Sequence, residues 1–275
     1  MRTRVGTIPV FCLFWGLVGA RTTCATTVVA KLENQRIILA ADTRGNALEK
    51  SSNPTTERAF HDDVCKIVAL GKFGFAATGY SDYKRVELGD MVNDWSALED
   101  ARASYSSHAD SLLEMADDWG RRAMQHYKTF YFVAPDRVKS LAGAGEANIL
   151  VEGVFAGWDS KGQASLIFVI VALAQAALPP IIGTRYVLPR RDLPYTTNIN
   201  TQKLVEGDSE HTRVIRKKWK KKSKTFPKSQ RDWRWVEFLV ESTSDDDKTV
   251  GKEADVLEVR QSGSTWLQNS GCPIR

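Results

Sequence analysis

Apolar positions fall first into short β-branched runs, then into a helical stripe, then into runs again. Residues 26–31 and 37–41 are rich in Val, Ile, Leu and Ala and flank the polar Glu33, Asn34 and Gln35, which predicts a hairpin. Residues 64–70 and 73–78, parted by Gly71 and Lys72, predict a second one. The polar stretch 49–62, which contains Pro54, reads as a surface loop between them. After Ser81 the period changes. Val86, Leu88, Met91 and Trp95 suit one helix, and Leu112, Met115, Ala116, Trp119, Ala123 and Tyr127 mark the packing face of another, with Ser107 or Asp110 as its cap. Residues 149–158 and 164–171 form a third hairpin around Asp159, Ser160, Lys161 and Gly162. The apolar stretch 172–183 is interrupted by Gln175, Pro179 and Pro180, which argues against a membrane span and for a buried strand running into a short helix. Residues 184–230 carry prolines and scattered charge without a steady period and read mostly as loop. Residues 236–242 suit the end of a helix, and 255–259 with 265–267 a last hairpin around Ser262 and Gly263. Strands, helices, then strands predict a layered α+β domain.

Composition changes this picture little. A chain of 275 residues with 43% hydrophobic and 26% charged residues is ordinary globular material, and one domain is the simplest count. The formal charge of +5 is concentrated near residues 216–234, so the total says little about partners. The N-terminus adds a localisation. Arg2 and Arg4, an apolar run over 10–18 and small residues after it follow the export pattern, in a run too short to span a bilayer. Cleavage after Ala20 or after Ala25 is expected, placing the mature protein in the periplasm or outside the cell. The second cut would make Thr26 the first residue, with 1–25 as signal and leader and 26–275 as one domain carrying a basic insertion around 184–234. Cys65 and Cys272 then remain, and spacing alone leaves open whether they pair or stay as thiols.

Thr26, Thr27, Val28, Val29 and Ala30, followed by Ala40, Ala41, Asp42, Thr43 and Arg44, resemble the opening of proteasome β subunits and their bacterial relatives. In that family a threonine begins the mature chain and an Ala-x-Asp-x-Arg segment closes the second strand. The aspartate lies sixteen residues on, the spacing from Thr26 to Asp42. Val64, Cys65, Lys66, Ile67 and Val68 resemble the strand bearing the family's lysine, and Thr78-Gly79 follows one short hairpin later, as the family's oxyanion glycine does. Phe155, Ala156, Gly157, Trp158 and Asp159 are similar to its central strands. The resemblance implies the four-layer α/β/β/α sandwich of N-terminal nucleophile (Ntn) hydrolases and threonine-type amide, above all peptide-bond, hydrolysis.

The chemistry is reasonable on its own terms. A threonine hydroxyl needs a base within hydrogen-bond reach, and a first-residue threonine carries one in its own α-amine, whose ordinary pKa is about 7.7–8.0. A lysine ammonium nearby depresses that pKa further, and an aspartate holds the lysine charged and oriented. Lys66 and Asp42 are the candidates for those roles, and the Gly79 N–H would stabilise the oxyanion. Cys24 is the rival nucleophile, but Asp42 would then stand two residues out of register.

Departures bear on activity. No Gly-Ser-Gly segment follows the third hairpin between residues 171 and 208. Asp247 stands four residues before Gly251 as the family's late aspartate does, yet Val250 occupies its serine's place and Lys252 that of a second glycine. A catalytically silent, structural or ring-forming subunit is therefore the second expectation. Ala77 corresponds to a position lining the family's first specificity pocket, and its small side chain implies a bulky substrate residue. The partners implied are a peptide or protein substrate and further copies of the chain.

Arg216, Lys217, Lys218, Lys220, Lys221, Lys222 and Lys224, with Trp219, Trp233 and Trp235, suit a solvated face, or contacts to nucleic acid or an anionic surface. His61, His108, His126 and His211 show no metal-ligand spacing, and neither metal nor cofactor is expected.

Overall fold

The computed structural model describes residues 27–33, 35–46, 60–61, 64–83, 94–144, 148–159, 162–174, 181–187, 195–197, 210–246, 250–270 and 272. The chain is α+β, with two five-stranded antiparallel sheets and helices packed on them. The first hairpin is β1 (Val28–Leu32) and β2 (Ile37–Asp42), in register from Val28 opposite Ala41 to Leu32 opposite Ile37. Short β3 (Gly45–Asn46) and β4 (Phe60–His61) pair with each other, so part of the expected 49–62 loop is extended. Then come β5 (Ile67–Leu70), β6 (Phe73–Gly79), and the short pair β7 (Asp82–Tyr83) and β8 (Trp95–Ser96). Helices α1 (Ala97–Ser107), α2 (Leu112–Val133) and α3 (Pro135–Ala144) follow.

The hairpin of β9 (Ile149–Trp158) and β10 (Ala164–Ala174) leads to β11 (Ile181–Val187) and β12 (Tyr195–Thr196). Helices α4 (Glu210–Lys222) and α5 (Arg231–Asp246), then β13 (Ala254–Arg260) and β14 (Gly263–Gln268), complete the described chain. The first sheet has the order β12-β1-β2-β13-β14 and the second β11-β10-β9-β6-β5.

Alternation along the strands sorts the core into three apolar clusters. Val28, Ala30, Leu39, Ala41, Leu257 and Val259 of the first sheet meet Ile67, Ala76, Val154, Ala156, Leu166 and Phe168 of the second. On the other face of the first sheet, Val29, Ile38, Ala40 and Val256 pack under Val236, Leu239 and Val240 of α5. On the other face of the second, Phe73, Phe75, Phe155 and Val169 pack under Met115, Trp119, Ala123 and Tyr127 of α2. All six residues of β2 are buried because both of its faces are covered.

Four expectations require correction. Trp95 sits on a strand, not a helix: it pairs with Tyr83, and its indole Nε1–H donates to Asp100 Oδ2 at 2.8 Å. Val86, Leu88 and Met91 lie outside the described residues. The cap of α2 is Ser111, whose hydroxyl accepts from the Glu114 N–H at 3.3 Å, because the helix starts one residue after the serine, too late for Ser107 or Asp110. Of the strand entering a short helix expected over 172–183, the strand is β10, which runs to Ala174, residues 175–180 lie outside the described residues, and 181–183 belong not to a helix but to β11, hydrogen-bonded along β10 from Phe168 opposite Val187. Most important, 184–230 is not mostly loop. It holds the end of β11, β12 and α4, a helix whose apolar period was hidden because its contact with α5 rests on few apolar residues, Ile215 and Trp219, set among lysines.

Candidate functional site

Two hairpins bring the site together. Asp42 is the last residue of β2 in the first sheet, and Lys66 stands one residue before β5 in the second, its carbonyl accepting from the Ala77 N–H at 3.0 Å. The two side chains meet between the sheets: Lys66 Nζ donates to Asp42 Oδ2 at 3.0 Å, with the lysine 4% and the aspartate 0% exposed at the side chain. Lys66 Nζ also donates to the Arg44 carbonyl.

A buried carboxylate needs more than one partner. Asp42 Oδ1 accepts from the Thr27 N–H at 2.7 Å, while Oδ2 also accepts from the N–H groups of Gly251 at 3.0 Å and Arg44 at 3.2 Å. Gly251 reaches this position because it has no side chain; a Cβ there would stand 2.9 Å from the Arg44 nitrogen. Burial pushes the Lys66 ammonium pKa below the ordinary lysine value and the Arg44 charge adds to this, against the opposing pull of Asp42 and Asp255. The product is a lysine held at one point in a buried site, with its carboxylate partner fixed by Lys66 and by three backbone N–H groups.

Thr27 extends this group towards the start of the chain. Its carbonyl accepts from the Asp42 N–H at 3.1 Å, and its hydroxyl is buried with no hydrogen-bond partner among the described residues. Thr26, the expected nucleophile, is its immediate neighbour in sequence but lies outside the described residues, as does Asp247. Gly79 ends β6 with φ +83°, and a Cβ there would lie 2.6 Å from the Leu150 carbonyl oxygen, so the turn into Tyr80 admits only glycine without strain. Ala77 is fully buried in the apolar cluster beneath α2. It has no accessible surface from which to shape a ligand pocket, because position 77 alternates with Phe73 and Phe75 towards the helices.

The sequence reading picked out Asp42 and Lys66 as a pair, and they are in contact. It missed the backbone donors Thr27 and Gly251 and the Arg44 carbonyl, which are contributed by main-chain atoms and leave no residue-type signal. Arg44 was visible only as the end of the Ala-x-Asp-x-Arg segment.

The question left open by the cysteines is answered beside Lys66. Cys65 and Cys272 are joined, with Cα atoms 4.8 Å apart at a sequence separation of 207. Cys272 Sγ lies 3.1 Å from Asp255 Oδ2, and Asp255 Oδ1 accepts from the Ser270 N–H at 2.6 Å, so the bond ties the C-terminal segment to the residue preceding the lysine. Cutting it with a Cys65→Ser/Cys272→Ser double variant is expected to lower unfolding free energy by about 2–4 kcal/mol, read by denaturant titration. A non-reducing peptide map without the Cys65–Cys272 linked pair would contradict the bond itself.

No group of three or more His, Cys, Asp or Glu among the described residues is placed to hold a metal ion, and no described helix is long and apolar enough to cross a membrane. The chain matches no protein-family model and no curated protein sequence.

Proposed function

We infer that this chain is a proteasome-like Ntn hydrolase that cleaves an amide, foremost a peptide bond, through Thr26 once a leader of 25 residues is removed on export. One observation carries the reading: a buried lysine–aspartate pair whose carboxylate also binds the N–H of Thr27, the residue next to the proposed nucleophile. A structural ion pair needs no link to the second residue of a processed chain; a lysine that activates an N-terminal amine does, and Asp42 provides that link between Lys66 and Thr27. The order helix, sheet, sheet, helix in which the three apolar clusters stack supports the four-layer α/β/β/α sandwich that goes with this chemistry.

In this reading the Thr26 α-amine, its pKa depressed by the Lys66 charge, takes the proton of the Thr26 hydroxyl as the oxygen attacks the carbonyl carbon. The Gly79 N–H receives the charge developing on the carbonyl oxygen. The amine then returns its proton to the departing nitrogen, and a water molecule cleaves the acyl-threonine ester to free the enzyme. A silent structural subunit is the second reading, favoured by Val250, which is 1% exposed and offers no hydroxyl where the family has a serine. Edman sequencing of the exported protein separates the two. A mature chain beginning at Thr26 is expected; one beginning at Arg21 would have its threonine amine locked in a peptide bond and would rule out the catalytic reading.

A further inference from the structure

The active-site reading does not use the basic segment, which the structure places on a helix. From His211 through Arg231 the chain carries ten Lys and Arg residues and no Asp or Glu, so with a whole-chain charge of +5 the remainder of the protein is net negative. The charge is therefore a local feature, not a general property of the surface.

Its geometry is specific. Ile215 is 2% exposed and packs with Phe238, while Trp219 lies 5.3 Å from both the Trp235 and the Phe238 rings and 6.3 Å from that of Phe226. Lys222, on the same side, donates to Glu241 at 2.6 Å. That side docks α4 on α5. The opposite side carries Lys217, Lys220, Lys221 and Lys224, at helical spacings of three, four and seven residues. All four are exposed, and no acidic side chain among the described residues pairs with them. From Lys217 to Lys224, on the 3-10 turn that continues the helix, this makes a cationic ridge about 10 Å long at 1.5 Å per residue.

We propose that this ridge is a docking surface for duplex nucleic acid, bound through its phosphates and without regard to base sequence. The aromatic side chains decide the partner. Binding of a single strand with base stacking needs exposed rings, and insertion into a lipid interface needs an apolar face. Here Trp219, Trp235, Phe226 and Phe238 pack against one another on the α5 side of the helix, Phe238 buried and the other three half-buried, while the ridge itself presents lysines. A row of point charges with its rings turned towards α5 and the single aliphatic Val214 exposed beside it suits a linear array of closely spaced phosphates, where counter-ion release drives binding. The proposal is independent of Thr26 chemistry.

The test is a fluorescence-anisotropy titration of the full chain against two unrelated 20-base-pair DNA duplexes over a series of salt concentrations, with anionic phosphatidylserine vesicles in parallel. Both duplexes are expected to bind equally, with dissociation constants of about 10⁻⁶–10⁻⁴ M near physiological salt. The Lys217→Ala/Lys220→Ala/Lys224→Ala variant should flatten the slope of log K against log salt by about 3, near 0.9 for each phosphate that is no longer neutralised. The matching triple Lys→Arg variant should keep the wild-type slope. An unchanged slope in the alanine variant, binding to vesicles without binding to duplex, or no duplex binding even at low salt would each overturn the proposal.

Discussion

An Asp42→Ala chain is expected to lose most or all of its cooperative fold. Asp42 is fully buried and accepts from four donors: the Lys66 ammonium and the N–H groups of Thr27, Arg44 and Gly251. Removing one member of a buried ion pair costs about 3–5 kcal/mol, because the other charge stays behind without a partner. Three backbone donors are orphaned at the same time, each at about 1–3 kcal/mol where water does not enter. That sum is comparable to the whole stability of a typical domain, about 5–15 kcal/mol. Asp42→Asn should be milder, since the amide keeps an oxygen for the N–H groups, though it leaves the Lys66 charge uncompensated. Thermal unfolding followed by circular dichroism is the measurement. The expected order is wild type, then Asn, then Ala, and an alanine variant melting with the wild type would show that this carboxylate does not organise the junction of the sheets.

If the chain is the hydrolase proposed above, replacing Lys66 should abolish hydrolysis at a smaller cost in stability, and Lys66→Met is the informative variant because it keeps the volume and removes the charge. Losing activation of the nucleophile typically costs about 10²–10⁴ in rate. The stability cost is not negligible, since the side chain is 4% exposed and paired, but Asp42 retains three backbone donors and stays satisfied. Stability and activity thus separate: the aspartate variant fails by unfolding and the lysine variant by losing chemistry. Lys66→Arg should fail too, because a planar guanidinium cannot reproduce one point charge shared between Asp42 Oδ2 and the Arg44 carbonyl. The pH profile adds a sign. Burial lowers the Lys66 pKa, so the cation is lost at a pH below that of an exposed lysine, and the alkaline limb of wild-type activity should fall correspondingly early. A folded Lys66→Met protein with undiminished turnover of fluorogenic peptides would remove the lysine, and with it Thr26, from any catalytic role.

Much of the architecture was legible before any coordinates. Hairpins around Gly71 and Lys72 and around Asp159 and Gly162, and the stripe from Leu112 to Tyr127, depend on period and turn chemistry, which are local properties of the chain. The pairing of Asp42 with Lys66 was also anticipated, though from resemblance to a family and not from a local rule.

What failed was whatever depended on distant partners. Trp95 belongs to a strand because Asp100 and Tyr127 anchor its indole, and α4 is a helix because Trp235 and Phe238 of α5 complete the face that Ile215 and Trp219 begin. By itself the sequence determined the strand hairpins, the long amphipathic helix and the buried alternation, since each needs only neighbours within a few positions. Tertiary structure alone decided that Cys65 meets Cys272, that the Gly251 and Thr27 N–H groups converge on Asp42, that Ala77 points into the core, and that the lysines of α4 share one ridge. Those are contacts between residues far apart in the chain or made by backbone atoms, and neither the spacing nor the type of a residue carries that information.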